Sequence, residues 1–130
     1  MTKEVTNPIF TFASVEELQR VLEELSIHTT HATLMMEQTA VNIAGKIGFV
    51  NWTRCKIIAQ PIYDAYFGEY SYENPFVCIQ RGGKWGVLNY DGLEEIPPCC
   101  TERIAILIRL FLNNHITISP EKRKRNLLSA

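Results

Sequence analysis

Four cysteines and three histidines are the side chains of this sequence best suited to metal or thiol chemistry. They are Cys55, Cys78, Cys99, Cys100, His28, His31 and His115. Zinc sites use thiolates or imidazoles at short regular spacings, and the sequence has neither a Cys-x-x-Cys pair nor a His pair at finger spacing. His28 and His31 could share a helical face, but no cysteine or carboxylate cluster lies near them in sequence. We therefore predict no metal site.

The adjacent thiols Cys99 and Cys100 have two interpretations. They are either a redox-active pair or one buried and one exposed reduced thiol of a strand or turn. We favour the second interpretation, because a chain of 130 residues can build a core that needs no disulfides.

Signatures of catalysis are also missing from the sequence. It contains no Gly-x-Ser-x-Gly elbow, phosphate loop or paired-glycine nucleotide fingerprint. The two glycines before Lys84 lead into a strand, whereas a phosphate cradle uses the amino end of a helix. The carboxylates Asp64, Glu69 and Glu73 have no evident nucleophile or base beside them. We therefore predict no catalytic residues and no cofactor, and we expect that the protein is not an enzyme.

The stretch that begins at Ser14 is predicted to form a helix over about residues 14–26. Its apolar residues recur at spacings of three, four and three, which places them on one stripe: Val15, Leu18, Leu22 and Leu25. Ser14 and Glu17 have the spacing of a capping box, in which hydroxyl and carboxylate each bond a free amide of the first turn. The stripe suits packing on a sheet, and it also suits pairing with another chain.

Beyond residue 40 the apolar period changes to two, and one pattern occurs twice. Gly45 to Asn51 reads GKIGFVN and Gly83 to Asn89 reads GKWGVLN, at an offset of 38 residues. After one residue of slippage the match continues from Ile58–Asp64 to Glu95–Thr101, so that a proline recurs in both units. A period of this length is typical of a repeated supersecondary element, which is a β-hairpin here.

The residues of the repeat have structural duties. Gly48 and Gly86 predict a close approach of a neighbouring strand or aromatic ring, since a glycine otherwise weakens a strand. Trp85 is expected to pack between hairpins, and the dipeptide Asp91-Gly92 is a two-residue hairpin signal. The repeat therefore specifies a scaffold.

This pattern resembles the WG-repeat family, whose units contain Gly-Lys-Trp-Gly-(Phe/Tyr)-Ile-Asp, a turn with glycine, Ile-Pro-Pro and a downstream Tyr-Asp. The resemblance covers about residues 40–101. The second unit carries Lys84–Gly86 and Ile96–Pro98, but it has Cys100-Thr101 in place of Tyr-Asp. The first unit keeps Tyr63-Asp64 and has Ile47 in the tryptophan position. The resemblance implies a scaffold of two imperfect β-hairpin repeats.

A second helix is predicted over about residues 101–114, with Thr101 as its cap. One face carries Ile104, Ala105, Ile108, Phe111 and Leu112, and the apolar surface extends to Ile106, Leu107 and Leu110. A helix that is apolar nearly all round is buried on more than one side. We expect it either to lie between the sheet and the first helix or to complete a homodimer interface.

Charge is distributed unevenly along the chain. The formal net charge is −1, and residues 119–130 contribute +3, so that residues 1–118 carry −4. We predict a single domain over residues 1–118 and a flexible basic tail over 119–130. The amino terminus lacks a signal-peptide pattern, and no apolar run approaches the roughly twenty residues that span a bilayer. We therefore expect a cytoplasmic protein without a membrane partner.

The stretch from Tyr63 to Phe76, YDAYFGEYSYENPF, holds six of the thirteen aromatic residues. Its charges are all acidic and no Lys or Arg occurs over residues 57–80, which argues against phosphate binding. Tyrosine suits protein interfaces, because its rigid ring adds contact area at low entropic cost. We predict that eight residues bind a protein partner: Tyr63, Asp64, Tyr66, Phe67, Glu69, Tyr70, Tyr72 and Glu73. The alternative is that these aromatic side chains pack on the sheet.

Together these patterns predict an α+β fold, in which an antiparallel sheet of repeated β-hairpins is flanked by an amino-terminal and a carboxy-terminal helix. They favour a non-enzymatic protein-binding module whose acidic surface binds a basic protein. A toxin or nuclease held inactive by an inhibitor or immunity-type protein fits that description. The alternative is a nucleic-acid-associated regulator that binds through the tail residues Lys122, Arg123, Lys124 and Arg125, although four charges without a folded patch bind weakly.

Overall fold

The computed structural model describes residues 9–28 and 37–117 of the chain. Within these ranges two helices and eight strands follow one another along the sequence. The elements are β1 (Phe10–Phe12), α1 (Val15–His28), β2 (Gln38–Ile43), β3 (Lys46–Asn51), β4 (Lys56–Tyr63), β5 (Ala65–Phe67), β6 (Val77–Arg81), β7 (Lys84–Leu88), β8 (Glu94–Cys100) and α2 (Glu102–Thr117).

The first helix begins where the capping signal predicts it. The Ser14 hydroxyl accepts a hydrogen bond from the backbone N–H of Glu17 at 3.1 Å, and the Glu17 carboxylate accepts one from the N–H of Ala13 at 2.6 Å. The carboxylate thus reaches one residue further back than in the usual capping box. Leu18 and Leu22 are buried, which confirms the predicted apolar stripe.

The strands form two four-stranded sheets, in the orders β1-β2-β3-β4 and β5-β6-β7-β8. β1 runs parallel to β2, and the other neighbouring strands are antiparallel. The predicted α+β class, with repeated hairpins between two helices, is confirmed, but the hairpins are divided between two sheets. The sheets pack on each other through a shared core that includes Ala40, Phe49, Ala59, Val77, Ile79 and Leu88.

The two helices cover opposite faces of this pair of sheets. α1 packs on the first sheet, where Leu18 and Leu22 join a core with Val41 and Val50. α2 packs on the second sheet, where Ala105 joins a core with Cys78, Trp85 and Val87. The expectation that α2 lies between the sheet and α1 is therefore wrong, because each helix has its own sheet to cover.

The two hairpin units share one strand register. Val41 lies opposite Gly48 in the first unit, and Ile79 lies opposite Gly86 in the second. In both units the pairing with the third strand is irregular at the same two places, around residues 47–50 and 85–88. The partners in the third strand are 37 residues apart rather than 38, which is the one-residue slippage of the sequence match. The duplication of the hairpin plan is thus confirmed by the strand pairing.

Gly48 and Gly86 confirm the predicted close approach of a neighbouring strand. A Cβ atom on Gly48 would lie 2.7 Å from the carbonyl oxygen of Ala59, and one on Gly86 would lie 2.3 Å from that of Ile96. Both distances are shorter than real Cβ contacts, and both obstacles are backbone atoms. The third strand of each unit therefore passes where only glycine fits.

The two hairpins close through two-residue turns in which both residues have positive φ. The φ angles are 55° and 85° at Ala44 and Gly45, and 64° and 81° at Gly82 and Gly83. Positive φ at both positions defines the type I′ turn, whose twist matches that of the flanking strands. Each turn lies directly before the lysine that starts the second strand of its hairpin, Lys46 or Lys84.

The predicted two-residue hairpin at Asp91-Gly92 is instead part of a longer connection between β7 and β8. This connection spans residues 89–93. The Asn89 side-chain oxygen accepts hydrogen bonds from the N–H groups of Asp91 and Leu93 at 2.9 and 3.1 Å. Asn51 has the equivalent position in the first unit, and its side-chain oxygen accepts a hydrogen bond from the Arg54 N–H at 2.8 Å. The repeated asparagine therefore shapes the second turn of each unit.

Candidate protein-binding surfaces

The connecting segment, residues 63–76, carries the chain from the first sheet to the second. It starts at the last residue of β4, includes β5 and ends before β6. Tyr63, Tyr70 and Phe76 are buried, whereas Phe67 and Tyr72 are exposed. The packing interpretation thus holds for the buried rings, whereas Phe67 and Tyr72 remain accessible for the predicted binding.

Asp64 links the turns of the two hairpins. Its carboxylate forms an ion pair with the ammonium group of Lys46 and accepts a hydrogen bond from the backbone N–H of Gly82 at 2.9 Å. These two hydrogen bonds, that of Lys46 first, lower the pKa of Asp64. The side chain is exposed, but its negative charge is already engaged in a contact between the two hairpin units.

Tyr63 joins the two sheets from the inside. Its hydroxyl donates a hydrogen bond to the Glu94 carboxylate at 2.6 Å, and the guanidinium carbon of Arg81 lies 5.6 Å from its ring centre. Burial and the bond to Glu94 raise the pKa of Tyr63. The structure thus gives Tyr63 an internal role, and its ring does not reach the surface.

Tyr70 and Tyr66 pack in the core between the sheets. The Tyr70 ring meets those of Phe49 and Tyr90 edge to face, at centroid distances of 4.9 and 5.6 Å, and its hydroxyl donates to the carbonyl oxygen of Asn89. The half-buried Tyr66 ring lies 5.6 Å from that of Phe49. Burial raises the pKa of both tyrosines. Tyr70 therefore anchors the middle of the connecting segment in the core between the two sheets.

Two polar side chains of α2 hold the backbone of the connecting segment. Arg109 is buried and donates to the carbonyl oxygens of Phe76 and Glu69 at 2.8 and 2.9 Å. Asn113 accepts from the Phe76 N–H at 3.0 Å and donates to its carbonyl oxygen at 3.2 Å. Gly68, whose φ is 111°, packs so closely on Arg109 that a Cβ there would lie 2.4 Å from the guanidinium carbon. The segment is therefore held at several points.

The sequence predictions did not include Arg109 and Asn113. The available signal was a charged residue inside the apolar run over residues 104–112, which suggests a buried donor that has acceptors to satisfy. Those acceptors lie in an irregular segment, 33 and 40 residues earlier in the chain, so neither spacing nor periodicity identifies them.

Besides Asp64, four residues of the connecting segment have side chains exposed to solvent. Phe67 is 43% exposed and Tyr72 is 60% exposed, and the exposed acids Glu69 and Glu73 lie beside them in sequence. The Phe67 ring centre lies 5.9 Å from the guanidinium carbon of Arg109. We refer to Phe67, Glu69, Tyr72 and Glu73 as the exposed set.

A second surface, the outer face of α2, consists of Ile104, Leu107, Leu110 and Phe111. These four side chains are between 45 and 67% exposed. The prediction placed Ile104 and Phe111 on the buried face, and this is wrong, because the helix turns Ala105 and the polar Arg109 and Asn113 toward the second sheet. Thr101 caps the helix as predicted, since its hydroxyl accepts from the Ile104 N–H at 3.3 Å.

The other candidates for chemistry or binding are the cysteines, the histidines and the basic tail. The sulfur atoms of Cys99 and Cys100 lie 3.7 Å apart, and this contact raises the pKa of Cys100. His115 stacks on Phe111 with ring centres 5.9 Å apart. His31, the side chain of His28 and the tail residues 122–125 lie outside the described part of the chain. Over residues 9–28 and 37–117 no three metal-binding side chains come together.

Comparison with protein-family models, curated proteins and solved structures gave no match. In the part of the chain that the structure describes, neither helix has the length and apolar content needed to cross a membrane.

Proposed function

We propose that this protein is a non-enzymatic protein-binding module that docks its partner on the connecting segment. The observation that supports this proposal most strongly is the contrast within the segment. Tyr63, Tyr70 and Phe76 are buried and Arg109 holds the backbone, while the exposed set remains in solvent. A surface held in one conformation loses little entropy on binding, and exposed aromatic rings supply contact area.

The partner that suits this surface is a basic protein. Within the connecting segment Asp64 is already paired with Lys46, so Glu69 and Glu73 supply the remaining negative charge. Complementary charge raises the association rate and disfavours acidic partners. A nucleic-acid-handling enzyme has such a basic surface, so an inhibitor or immunity-type protein that occludes it is the specific form of this proposal.

Membership of the WG-repeat family is part of the same proposal. It is supported by the matching register, the two glycines that meet a third strand and the repeated asparagines at positions 51 and 89. A cytoplasmic location and a homodimer formed through α2 also belong to the proposal. The basic tail offers nucleic acid as the competing ligand.

Affinity capture with three forms of the full chain tests the proposed docking surface. The first is wild type, and the second carries Phe67→Ala and Tyr72→Ala, which remove both exposed rings of the segment. The control carries Ile62→Ala and Leu93→Ala, which remove apolar side chains of similar exposure, 43 and 64%, outside the segment. We expect wild type and control to retain the same protein, and the double variant in the segment to lose it.

Two further measurements distinguish a basic protein partner from nucleic acid. Glu69→Lys with Glu73→Lys should abolish capture if charge selects a basic partner, and rising salt should weaken the wild-type complex. Binding to nucleic acid that persists in the Phe67/Tyr72 variant and disappears when residues 119–130 are removed would instead favour the nucleic-acid regulator. Equal capture by all three forms would contradict the proposed surface.

A further inference from the structure

We infer that the outer face of α2 binds the same face of a second copy of this chain, so that two α2 helices pack antiparallel across a twofold axis. The inference rests on the proposed homodimer and specifies its surface and geometry. It does not require the connecting segment to bind anything.

The outer face of α2 is more apolar than that of an ordinary surface helix. Ala105, Ile106, Ile108 and Leu112 pack toward the second sheet together with the buried Arg109 and Asn113, yet Leu107 and Phe111 are exposed. A helix on the surface of a monomer normally turns its apolar stripe inward and its polar residues toward water. Four large apolar side chains on one outer face are instead typical of a contact site.

The spacing of the outer face suits a partner helix. Ile104, Leu107 and Phe111 follow one another at intervals of three and four, which is the spacing of a two-helix seam, and Leu110 flanks it. A twofold axis near residue 107 brings Leu107 against its own copy and Ile104 toward Phe111 of the second copy. The face is then complementary to itself, as an isologous interface requires.

Charge favours a second copy over the basic partner proposed for the connecting segment. The exposed charges at the amino end of α2 are Glu102 and Arg103, which cancel, so the outer face does not select a charged partner. Opposed helix dipoles in the antiparallel pair add to this preference.

The size of the face indicates a weak dimer. Stable interfaces bury about 800 Å² per partner, and four half-exposed side chains supply roughly half of that area. We therefore expect dissociation in the micromolar range. Residues 118–130, which follow α2 and contain Leu127 and Leu128, are the competing occupant of this face.

Sedimentation equilibrium of the full chain, over concentrations from about 1 to 500 µM, measures this association. Wild type should show a monomer–dimer equilibrium, and Leu107→Asp should weaken it at least tenfold. Leu93→Asp is the matched control, because Leu93 is also exposed but lies outside α2, and it should leave the equilibrium unchanged. A wild-type dimer that Leu107→Asp does not weaken would overturn the inference.

A wild-type chain that stays monomeric over the whole range would also overturn it. If Leu127→Asp with Leu128→Asp then converts that monomer into a dimer, the tail is the occupant of the face. The antiparallel geometry has its own test in a background with Cys99→Ser and Cys100→Ser. Leu107→Cys should form a disulfide-linked dimer on mild oxidation and Ile104→Cys should not; the reverse result would contradict the proposed axis.

These readouts are independent of the proposed docking surface. Phe67→Ala with Tyr72→Ala should leave the monomer–dimer equilibrium intact, because neither side chain belongs to the outer face of α2 and Phe67 contacts only the buried Arg109 of that helix. Leu107→Asp should in turn leave the contacts of the connecting segment in place. Failure of one proposal is therefore distinguishable from failure of the other.

Discussion

Replacement of Gly86 by alanine tests the close passage of β8 across β7. The added Cβ would lie 2.3 Å from the Ile96 carbonyl oxygen and 2.7 Å from the Pro97 carbonyl carbon. Both are backbone atoms, so the clash cannot be relieved by a side-chain rotation. The two strands would have to separate at the place where their register already shifts.

The expected loss of free energy of unfolding follows from how closely the added Cβ approaches the backbone atoms. Overpacking a well-packed interior typically costs 1–3 kcal/mol, and we expect about 3 kcal/mol for Gly86→Ala because the backbone must move. Gly48→Ala, whose nearest obstacle is 2.7 Å away, should cost about 2 kcal/mol. The control is Gly83→Ala. No atom of the described residues lies within 4 Å of the added Cβ, so the substitution costs only the strain of alanine at a positive φ, about 1 kcal/mol.

Urea unfolding followed by tryptophan fluorescence measures these differences, since Trp85 lies buried next to Gly86. In a thermal unfolding experiment on the same variants, a loss of 3 kcal/mol should lower the melting temperature by about 10 °C in a domain of this size. The predicted order of destabilisation is Gly86→Ala, then Gly48→Ala, then Gly83→Ala. If Gly86→Ala is no more harmful than Gly83→Ala, the strands do not approach as described and the explanation of the repeated glycines fails.

Three further predictions concern single side chains. Cys55 has a φ of 52° at the position where the second unit has Gly92, so Cys55→Gly should raise the free energy of unfolding by about 0.5–1 kcal/mol, whereas Cys55→Ala should give no gain in the same urea titration. Asn113→Ala leaves the buried Phe76 N–H without its acceptor and should cost about 2 kcal/mol, with faster amide exchange at Phe76. Burial raises the pKa of Cys78 from 9.0 to about 11, so the stability that depends on its neutral thiol is intact below pH 9 and is lost as the pH rises toward 11. Wild type should lose about 2 kcal/mol more than Cys78→Ala over that interval, and equal losses would contradict the burial of an ionisable thiol there.

The repeat made much of the fold predictable from the sequence. Each unit carries the glycine that must meet a third strand and a turn that needs positive φ, so hairpin positions and strand register followed from local chemistry. The division into two sheets was not predicted, because backbone pairing between successive hairpins leaves no mark in the sequence. One sequence feature agrees with a second layer: the run from Ile47 to Val50 contains no polar residue, and in β3 these residues are buried on both faces.

The site was less predictable than the fold. The connecting segment has no periodicity, so composition could not distinguish the buried Tyr70 from the exposed Tyr72 two residues later. In α2 the apolar residues surround the helix, and a hydrophobic stripe alone could not orient it. Its orientation is set by Arg109 and Asn113, which satisfy backbone groups of a segment that is distant in sequence.

Site-specific photo-crosslinking tests the proposed binding function most directly. A photoreactive phenylalanine analogue in place of Tyr72 lies in the exposed set, and the same analogue in place of Ile62 lies on β4 outside the connecting segment. We predict a covalent adduct with one partner protein from position 72 and none from position 62. Adducts that form equally from both positions, or only from position 62, would contradict the proposal that the connecting segment is the docking surface.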